Sequence, residues 1–588
     1  MASSRRIGRI LVIATLLRSV AALWPIPRSL STGDTVLKLS PLFDIATDIA
    51  HSPDDLLDAI HRTKVQLAGD KLQPLVVGRG ASLRPAIASA GTLDTLVLSL
   101  SSPHPRSTRS ISGETTRDLF DRDEGYALVI PTNDTVATLV ANTTLGLFRG
   151  LTTFSQLWYE QDGNVYTYEA PIAIADWPAF PYRGFMLDTA RNYFPVDDIK
   201  RTLDAMSWVK LNTFHWHVVD SQSFPLEIPG FPELFDKGPY SASETYTTKD
   251  VQEIVDYAAQ RGIDVVVEID TPGHTAVIAE AYPEHIACLH KSPWSQYAAG
   301  RSHITTHFTK RLLSAAAELF PSSLFSTGGD EVNMRCYEED DETQEQLRGS
   351  GKSVEDALRE FTRASHDALR AQGKTPVVWQ EMVLNHDLHL PNDTVVMVWI
   401  SSEHTASIIK QGFRVVHAPS NYFYLDCGGG QWLGNDTEGT SWCDPYKHWQ
   451  KAYSFDPFAD LQESEYDQVL GGQHLLWTEQ SSPENLDATV WPRSAAAAEI
   501  FWTGSALPDG SPRNVREALP RMHDLRFRMV RRGVKAIALQ PLWCALRPGQ
   551  CDKVWGEGVH VQGHETTAGD VGSSPMDSHE NQAVLAED

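Results

Sequence analysis

The feature that most constrains the fold is a series of eight short apolar runs, most of them separated by stretches with helical spacing. Regular alternation of strand and helix predicts a parallel sheet, and eight repeats predict a closed (β/α)8 barrel. The runs cover residues 184–188, 213–217, 265–269, 324–326, 377–379, 395–400, 414–417 and 475–477.

Several intervening stretches carry helix signals. Residues 197–209 place their apolar side chains on one face, and residues 251–259 repeat that pattern. Another helix is predicted to begin after Ser353, with Asp356 as its capping partner and Gly373 as its end.

A smaller α/β domain is predicted before the barrel, within residues 30–175. Residues 101–116 are rich in Ser, Pro and Arg, and this composition predicts an exposed or processed loop. The predicted strands are residues 75–77, 95–100, 126–130 and 135–140, with one helix over 145–158 docking on their sheet.

Each barrel run is followed by polar or aromatic residues of the kinds that bind or transform a ligand. Because the carboxyl ends of barrel strands line one mouth, residues far apart in the sequence are expected to converge there. In chain order they are Asp188, Arg191, Asp220, Asp270, His274, Asp330, Glu331, Trp379, Trp399, Tyr424, Asp426, Trp477 and Glu479.

The fourth run leads into Gly328 and Gly329, and two adjacent carboxylates follow, Asp330 and Glu331. Neighbouring side chains point to opposite faces of a regular strand, so these acids share a site only if the glycines end the strand and turn it. A carboxylate pair cleaves a glycosidic bond from opposite sides of the sugar. Adjacent acids lie on one side, so the nucleophile is expected from elsewhere, such as a 2-acetamido oxygen of the substrate.

The residues at the mouth allow two other interpretations. His215 and His217 lie on one face of a strand, as in metal-dependent barrel hydrolases, but tryptophans occupy three positions where such sites need more ligands. Buried structural histidines and no metal are therefore expected. A single tryptophan is usually core, but three at strand ends favour a sugar pocket.

Composition limits the partners and the compartment. Fifty basic against 76 acidic residues give a net charge of −26, which disfavours nucleic acid and anionic membranes. Arg5, Arg6 and Arg9 are followed by a short apolar run from Ile10 to Leu23 that contains Arg18, and this pattern predicts a secretory signal over residues 1–22. No later run is long enough to predict a membrane span. Four sequons, at Asn133, Asn142, Asn392 and Asn435, fit a glycosylating secretory route.

The six cysteines fit three disulfides, although sequence alone allows fifteen pairings. The spacing favours Cys544–Cys551 as a small loop and Cys427–Cys443 around a Gly-rich and Trp-rich segment, which leaves Cys288–Cys336.

Five motifs in order resemble those of the family 20 glycoside hydrolases, the β-N-acetylhexosaminidases. They are FMLDTAR at 185–191, HWHVVD at 215–220, EIDTPGH at 268–274, GGDE at 328–331 and WQE at 379–381. RGLTTFSQL at 149–157 resembles the smaller N-terminal domain of that family, while NYFYLDC at 421–427 and LLWTEQ at 475–480 resemble its secreted fungal branch.

The resemblance implies an exo-acting, retaining and substrate-assisted hydrolase of terminal N-acetylglucosamine and N-acetylgalactosamine, with no cofactor. It implies Glu331 as general acid and base, Asp330 as support for the acetamido group, and Tyr424 as donor to its oxygen. It also implies that the walls of the sugar pocket are Trp379, Trp399 and Trp477. The hydroxyl groups of the sugar would contact Arg191, Asp426 and Glu479, and a second layer behind these residues would consist of Asp220 and His274.

The alternative for Arg191 is a structural ion pair with Asp188, and the alternative for the whole chain is a non-catalytic sugar-binding barrel. Gln473 departs from many relatives outside the fungal branch, which carry Glu. Fungal relatives also imply a homodimer, secretion with cell-wall association, and a processed segment.

The predicted organisation has four parts: the signal over 1–22, an N-terminal α/β domain over 23–175, the catalytic barrel over 176–552 and a disordered tail over 553–588. The tail is predicted from its Gly, Ser, His and acidic composition.

Overall fold

The computed structural model describes residues 22–102, 108–287, 304–426, 438, 440–441 and 443–553. The predicted signal before Ala22, and all of the predicted tail except Lys553, lie outside these residues, as do Asn435, Cys288 and Cys427.

The N-terminal unit is a six-stranded mixed sheet. Its strands are β1 (Ser29–Thr47), β2 (Gly91–Leu100), β3 (Tyr126–Ile130), β4 (Val136–Ala141), β5 (Tyr159–Gln161) and β6 (Asn164–Asp176). Their order in the sheet is β1-β2-β4-β3-β6-β5. The long strand β1 pairs antiparallel with β6 over one part and parallel with β2 over the other, so it joins the two sides of the sheet.

Four helices accompany this sheet: α1 (Asp54–Gly69), α2 (Arg84–Ser89), α3 (Ile111–Thr115) and α4 (Thr144–Gln156). Every residue of α4 is buried, because this helix packs both on the sheet and against the barrel. Its Arg149 donates to the carbonyl of Gly262 at 2.6 Å, and Gln156 donates to the carbonyl of Trp208 at 3.1 Å.

Three of the four predicted strands of this unit are present as β2, β3 and β4, and the predicted helix is α4. The predicted strand at 75–77 is wrong. Val76 and Val77 are exposed in a turn that leads to Gly78, whose φ is +82°. Part of the predicted loop over 101–116 is instead the short helix α3, capped by the Ser110 hydroxyl, and residues 103–107 lie outside the description.

The second unit is a closed barrel of eight parallel strands. Each strand pairs with the next, and the last pairs with the first over residues 471–476 and 182–187, so no edge remains open. The barrel strands are β7 (Tyr182–Asp188), β8 (Thr213–Val219), β9 (Asp264–Ile269), β10 (Leu324–Ser326), β11 (Thr375–Trp379), β12 (Val395–Val398), β13 (Arg414–His417) and, after the additional strand β14 (Tyr424–Asp426), β15 (Val469–Leu476).

All eight predicted runs are barrel strands, which confirms the predicted fold class. The sequence did not predict β14, which pairs with the carboxyl end of β15 through Tyr424 and Asp426 and places both side chains at the mouth.

Helices surround the barrel, and one of them, α12 (Val354–Arg370), carries the predicted caps. Ser353 and Asp356 form the expected capping box at the start of α12, and Gly373 follows its end with φ +75°. The helices are α5 (Val196–Trp208), α6 (Pro232–Lys237), α7 (Thr248–Ala259), α8 (Ile278–Ala281), α9 (Ile304–Ala317), α10 (Met334–Glu339), α11 (Asp341–Ser350), α12 (Val354–Arg370), α13 (Glu381–Leu384), α14 (Thr405–Ile409), α15 (Trp449–Tyr453), α16 (Leu486–Val490), α17 (Ala495–Thr503), α18 (Val515–Arg531) and α19 (Leu542–Ala545).

Buried charges join the two units. Glu124 accepts from Arg149 of α4 at 2.7 Å and from Arg183 of β7 at 2.6 Å, and Lys210 pairs with Asp176 at 2.7 Å. Removing one partner of such a buried pair leaves an uncompensated charge, so these contacts fix how the units dock.

The predicted disulfide Cys544–Cys551 is present, with 5.8 Å between its Cα atoms. Cys336 and Cys443 are also disulfide-bonded, and their pairing with Cys288 and Cys427 stays a prediction because those two residues lie outside the described chain. Asn133, Asn142 and Asn392 are exposed, and their glycosylation stays a prediction. Within the described chain, no helix combines the length and apolarity that crossing a bilayer requires.

Candidate active site

The glycine pair after β10 makes the turn that the sequence requires. Gly328 has φ +62° and Gly329 has φ +93°, a region that side chains other than glycine disfavour. A Cβ on Gly328 would lie 2.0 Å from Oδ1 of Asp270, so this position has no space for a side chain. The Gly329 N–H donates to that same oxygen at 2.7 Å and joins the turn to the end of β9.

The two acids after the turn occupy different environments. The side chain of Asp330 is 11% exposed, whereas that of Glu331 is 34% exposed and opens toward solvent. Glu331 has φ +52°, an unusual value for a residue with a side chain, and the surrounding turn maintains it. The turn therefore buries one acid and presents the other.

Asp330 and Asp270 form a buried carboxyl pair. Burial and the charge of Asp330 hold the pKa of Asp270 well above its usual range. The interaction between the two carboxyl groups raises the pKa of Asp270 and lowers that of Asp330, so a proton held by the pair favours Asp270. Burial nevertheless raises the pKa of Asp330, while the charge of His274 opposes this shift.

His274 connects this pair to the end of β8. Its Nδ1 lies 3.2 Å from Oδ1 of Asp220, and its Nε2 lies 3.4 Å from Oε2 of Glu331 and 3.6 Å from Oδ2 of Asp330. Burial acts against the charged ring, but Asp220 and Asp330 hold the pKa of His274 well above its usual range. The ring is a cation that faces both acids.

Asp270, His274 and Asp330 also form the group within the described residues whose geometry could hold a metal ion, with one donor atom of each inside 4.8 Å. The three residues already interact with one another: Oδ2 of Asp330 lies 3.6 Å from Nε2 of His274, and the charge of Asp330 raises the pKa of both His274 and Asp270.

Aromatic rings surround the acids. The ring centroids of Trp379 and Trp477 are 6.2 Å apart, and Tyr424 lies 6.3 Å from both Trp477 and Trp399. The indole N–H of Trp399 donates to Oε2 of Glu381 at 2.8 Å. Burial and the charge of Asp330 raise the pKa of Glu381 to about 8. The predicted tryptophans and Tyr424 therefore share one mouth.

Arg191 lies beside this aromatic group and pairs with two carboxylates. Its guanidinium is 3.0 Å from Asp188 and 2.9 Å from Asp220, and it lies over the ring of Trp477. The ion pair with Asp188 is therefore present. The Arg191 guanidinium makes three hydrogen bonds in all to the described residues, so its other N–H groups can still donate to a ligand. The structural pair and a binding role are compatible.

Asp426 and Glu479, the two acids predicted to contact sugar hydroxyls, also face this mouth. Asp426 accepts from the Ser481 hydroxyl at 2.8 Å. Burial raises the pKa of Glu479, and its Oε2 has no hydrogen-bond partner within the part of the chain that the structure describes.

Glu268 was not among the predicted site residues. It accepts from His215 and His217 at 3.0 and 2.6 Å, and from Trp379 at 3.3 Å. The signal in the sequence was a single acid inside the otherwise apolar end of β9, since a charge in a buried strand requires partners. Both histidine rings of the His-x-His pair therefore form hydrogen bonds with the same carboxylate, that of Glu268.

Comparison with known proteins identifies the family. Residues 180–505 match the family described as glycosyl hydrolase family 20, catalytic domain, and residues 23–157 match the family described as beta-acetyl hexosaminidase like.

The similar proteins include enzymes of fungi, insects, plants and bacteria. A beta-hexosaminidase of Arthroderma benhamiae is 32% identical over 527 residues, covering 84% of each chain. A chitooligosaccharidolytic beta-N-acetylglucosaminidase of Bombyx mori is 34% identical over 563 residues, covering 90% of this chain and 89% of that one. The crystal structure of a chitobiase of Flavobacterium johnsoniae superposes with a TM-score of 0.70 at 26% identity, covering 87% of this chain and 73% of the other. The chain therefore belongs to the family 20 glycoside hydrolases.

Proposed function

We propose that this chain is an exo-acting β-N-acetylhexosaminidase that removes terminal non-reducing N-acetylglucosamine, and N-acetylgalactosamine, from chitooligosaccharides and glycoconjugates. Family membership and the hexosaminidase relatives support this activity. We place the reaction at the mouth formed by Asp330, Glu331 and the aromatic rings around them.

The observation that carries the mechanism is that Asp330 and Glu331 lie on the same side, since both face Nε2 of His274 at 3.6 and 3.4 Å. A double displacement by two protein carboxylates needs them on opposite sides of the sugar. Two acids on one side therefore favour a nucleophile carried by the substrate, which is the oxygen of its 2-acetamido group.

In the first step Glu331 protonates the glycosidic oxygen while the acetamido oxygen attacks C1. The bond from C1 to the leaving group breaks, and an oxazolinium ion forms. In the second step Glu331 takes a proton from water and the water oxygen bonds to C1. The bond from C1 to the acetamido oxygen breaks, which opens the oxazolinium ring. Two inversions at C1 retain the β configuration.

Asp330 and Tyr424 act on the acetamido group. The carboxylate of Asp330 accepts its N–H and stabilises the positive charge that develops there, while the Tyr424 hydroxyl donates to its oxygen. Burial raises the pKa of Tyr424 well above its usual range, so the hydroxyl keeps its proton. Asp270 interacts with Asp330 and is assigned to fix its orientation.

The sugar lies between Trp379, Trp399 and Trp477, whose rings offer apolar faces. Arg191, Asp426 and Glu479 are assigned to its hydroxyls. Charged groups at the edge of such a pocket discriminate sugars by their hydroxyl positions, because an unmatched buried polar group is costly.

Secretion and homodimer formation also belong to this proposal. The apolar N-terminal run and the sequons support secretion, and the resemblance to the fungal branch supports the dimer. Sedimentation of the purified protein measures the oligomeric state, and a monomer would contradict this part.

The activity is tested with 4-nitrophenyl N-acetyl-β-D-glucosaminide and with chitobiose. Glu331→Gln is expected to lose most turnover on chitobiose and much less on the activated aryl substrate, because only the poor leaving group needs a proton. Equal losses on both substrates would contradict the acid role of Glu331. Glu345→Gln, at an exposed carboxylate on α11, is the matched control.

Asp330→Asn tests the assisted mechanism separately. It is expected to lower kcat on both substrates, since both steps use the acetamido group. An unchanged rate would refute substrate assistance. A folded wild-type protein that binds N-acetylglucosamine without hydrolysing either substrate would instead favour the non-catalytic sugar-binding barrel.

A further inference from the structure

A chain of buried hydrogen bonds runs through the interior of the barrel toward the mouth. It begins at Tyr182, at the start of β7, and ends at Asp220, just after β8. The bonds are Tyr182 Oη to Gln473 Oε1 at 2.7 Å, Gln473 Nε2 to His215 Nδ1 at 3.0 Å, His215 Nε2 to Glu268 Oε2 at 3.0 Å, Glu268 Oε1 to His217 Nδ1 at 2.6 Å, and His217 Nε2 to Asp220 Oδ2 at 2.8 Å.

The first half of this chain sets the tautomer of His215. Burial raises the pKa of Tyr182 well above its usual range, so its hydroxyl donates to the amide oxygen of Gln473. The amide nitrogen of Gln473 then faces Nδ1 of His215, and an amide nitrogen only donates. Nδ1 must therefore carry the lone pair, which leaves the ring hydrogen on Nε2, directed at Glu268.

Glu268 is the junction of this hydrogen-bond chain, because both halves of it meet at the Glu268 carboxylate. Its oxygens accept from His215 and His217, and also from the hydroxyl of Ser326 at 2.5 Å and the indole of Trp379 at 3.3 Å. Burial disfavours its charge, but the two histidines hold the pKa of Glu268 below its usual range. The same carboxylate thus anchors a wall of the sugar pocket and the ring of His217.

His217 is held as a cation, because each ring nitrogen faces a carboxylate and must carry a hydrogen. Burial opposes this, yet Asp220 and Glu268 raise the pKa of His217 to about 9. The groups that face it are Glu268 from β9, Asp220 after β8, and the ring of Trp477 at the end of β15, with centroids 4.9 Å apart. Arg191 acts on it through Asp220, which it contacts at 2.9 Å.

Asp220 transmits this arrangement to the acids. Its Oδ2 is occupied by His217 and Arg191, so Oδ1 is the oxygen that accepts from His274. The far nitrogen of His274 faces Glu331 and Asp330.

We propose that Gln473, His215, Glu268 and His217 form a positioning relay that fixes Asp220 and His274, and through them the orientation of Glu331 and Asp330. The proposal rests on the proposed function, because it assigns the relay to the service of those two acids. None of the four residues needs to touch the reacting atoms, so they are positioning residues.

Glu268→Gln tests the junction. A glutamine offers one acceptor oxygen and one amide that donates, so it cannot accept from both histidine N–H groups. We expect kcat on the aryl substrate to fall by about tenfold or more, as for the loss of an orienting partner behind an active residue. We also expect the alkaline limb of the kcat profile to move to lower pH by about one unit, since His217 loses a carboxylate.

Gln473→Glu tests the far end of the relay. A carboxylate at 473 accepts from Nδ1 of His215 and draws a second proton onto that ring, whose charge then competes with His217 for Glu268. The alkaline limb should again move to lower pH. Gln473→Leu removes the donor without adding charge, so it should lower kcat while leaving the position of the limb nearer to that of the wild type.

The matched control is His417→Gln. His417 is another buried histidine of the barrel, on β13, and its Nε2 contacts only the carbonyl of Pro457 among the described residues. This variant measures the cost of altering a buried barrel histidine outside the relay. Its pH profile should match that of the wild type.

Wild-type hydrolysis of the aryl substrate is measured first, so that failure of the proposed function is seen before any variant is compared. The relay is overturned if folded Glu268→Gln and Gln473→Glu proteins keep the wild-type pH profile. It is also overturned if their loss of kcat only matches that of His417→Gln. The relay is supported if the alkaline limb of the kcat profile moves to lower pH in both Glu268→Gln and Gln473→Glu and does not move in His417→Gln.

Discussion

The glycine turn before the acids gives the sharpest prediction. Alanine at Gly328 would have to adopt φ +62°, a left-handed conformation that costs roughly 1–2 kcal/mol for a residue with a Cβ. Its Cβ would also lie 2.0 Å from Oδ1 and 2.3 Å from the carboxyl carbon of Asp270. Overpacking of this kind costs about 1–3 kcal/mol. The expected loss of unfolding free energy is therefore roughly 2–5 kcal/mol.

Asp270 cannot move aside without consequence, because it accepts from the Gly329 N–H at 2.7 Å and its carboxyl group interacts with that of Asp330. Gly328→Ala should therefore displace Asp330 and lower kcat, since a misplacement of about 1 Å can cost 10²-fold.

Gly373→Ala is the matched control. Gly373 has φ +75°, but a Cβ there would meet nothing within 4 Å. This variant should show only the backbone cost of about 1–2 kcal/mol, with normal kcat. Urea titrations followed by tryptophan fluorescence give the free energies, and hydrolysis of the aryl substrate gives kcat. If Gly328→Ala loses no more stability than Gly373→Ala and keeps its activity, the steric argument is refuted.

Three further outcomes are expected. Tyr424→Phe should lower kcat on N-acetylglucosaminides by about 10²–10³, as for the loss of one preorganised donor, whereas Tyr422→Phe should not, and similar rates for both would exclude the donor role. The pKa of Glu381 is raised to about 8 in the folded state, above its unfolded value of about 4.3, so stability should fall as the pH rises between these values because only the unfolded chain releases the proton. Urea midpoints of wild type and Glu381→Gln measured at pH 5 and pH 8 check this, and parallel profiles would contradict it. Replacing Cys544 and Cys551 by serine opens a loop with a sequence separation of 7 and should cost about 2 kcal/mol. Reductant should lower the urea midpoint of the wild type by more than that of the variant, which keeps the disulfides of Cys336 and Cys443.

Much of the barrel was predictable because its signals are local. The apolar runs and the helix caps at Ser353 and Asp356 are read within a few residues, and all eight runs are strands. The short strand β14 was not predicted, since three residues carry no periodicity and pair only with the end of β15. The run at 75–77 was apolar but is exposed in a turn, because apolar residues also occur singly on surfaces.

The active site likewise has features that follow from local sequence and features that depend on the tertiary structure. By itself, the sequence determined that Asp330 and Glu331 follow a turn that only glycines permit, because φ preference belongs to the residue. It also determined that the residues after each strand share one mouth, because a parallel barrel brings these ends together. Only the tertiary structure decided which acid is buried, that Asp270 and Asp330 interact, and that Glu268 accepts from two histidines and a tryptophan. Protonation and hydrogen-bond direction depend on which groups lie within about 3 Å across different strands, and residue order does not contain that distance.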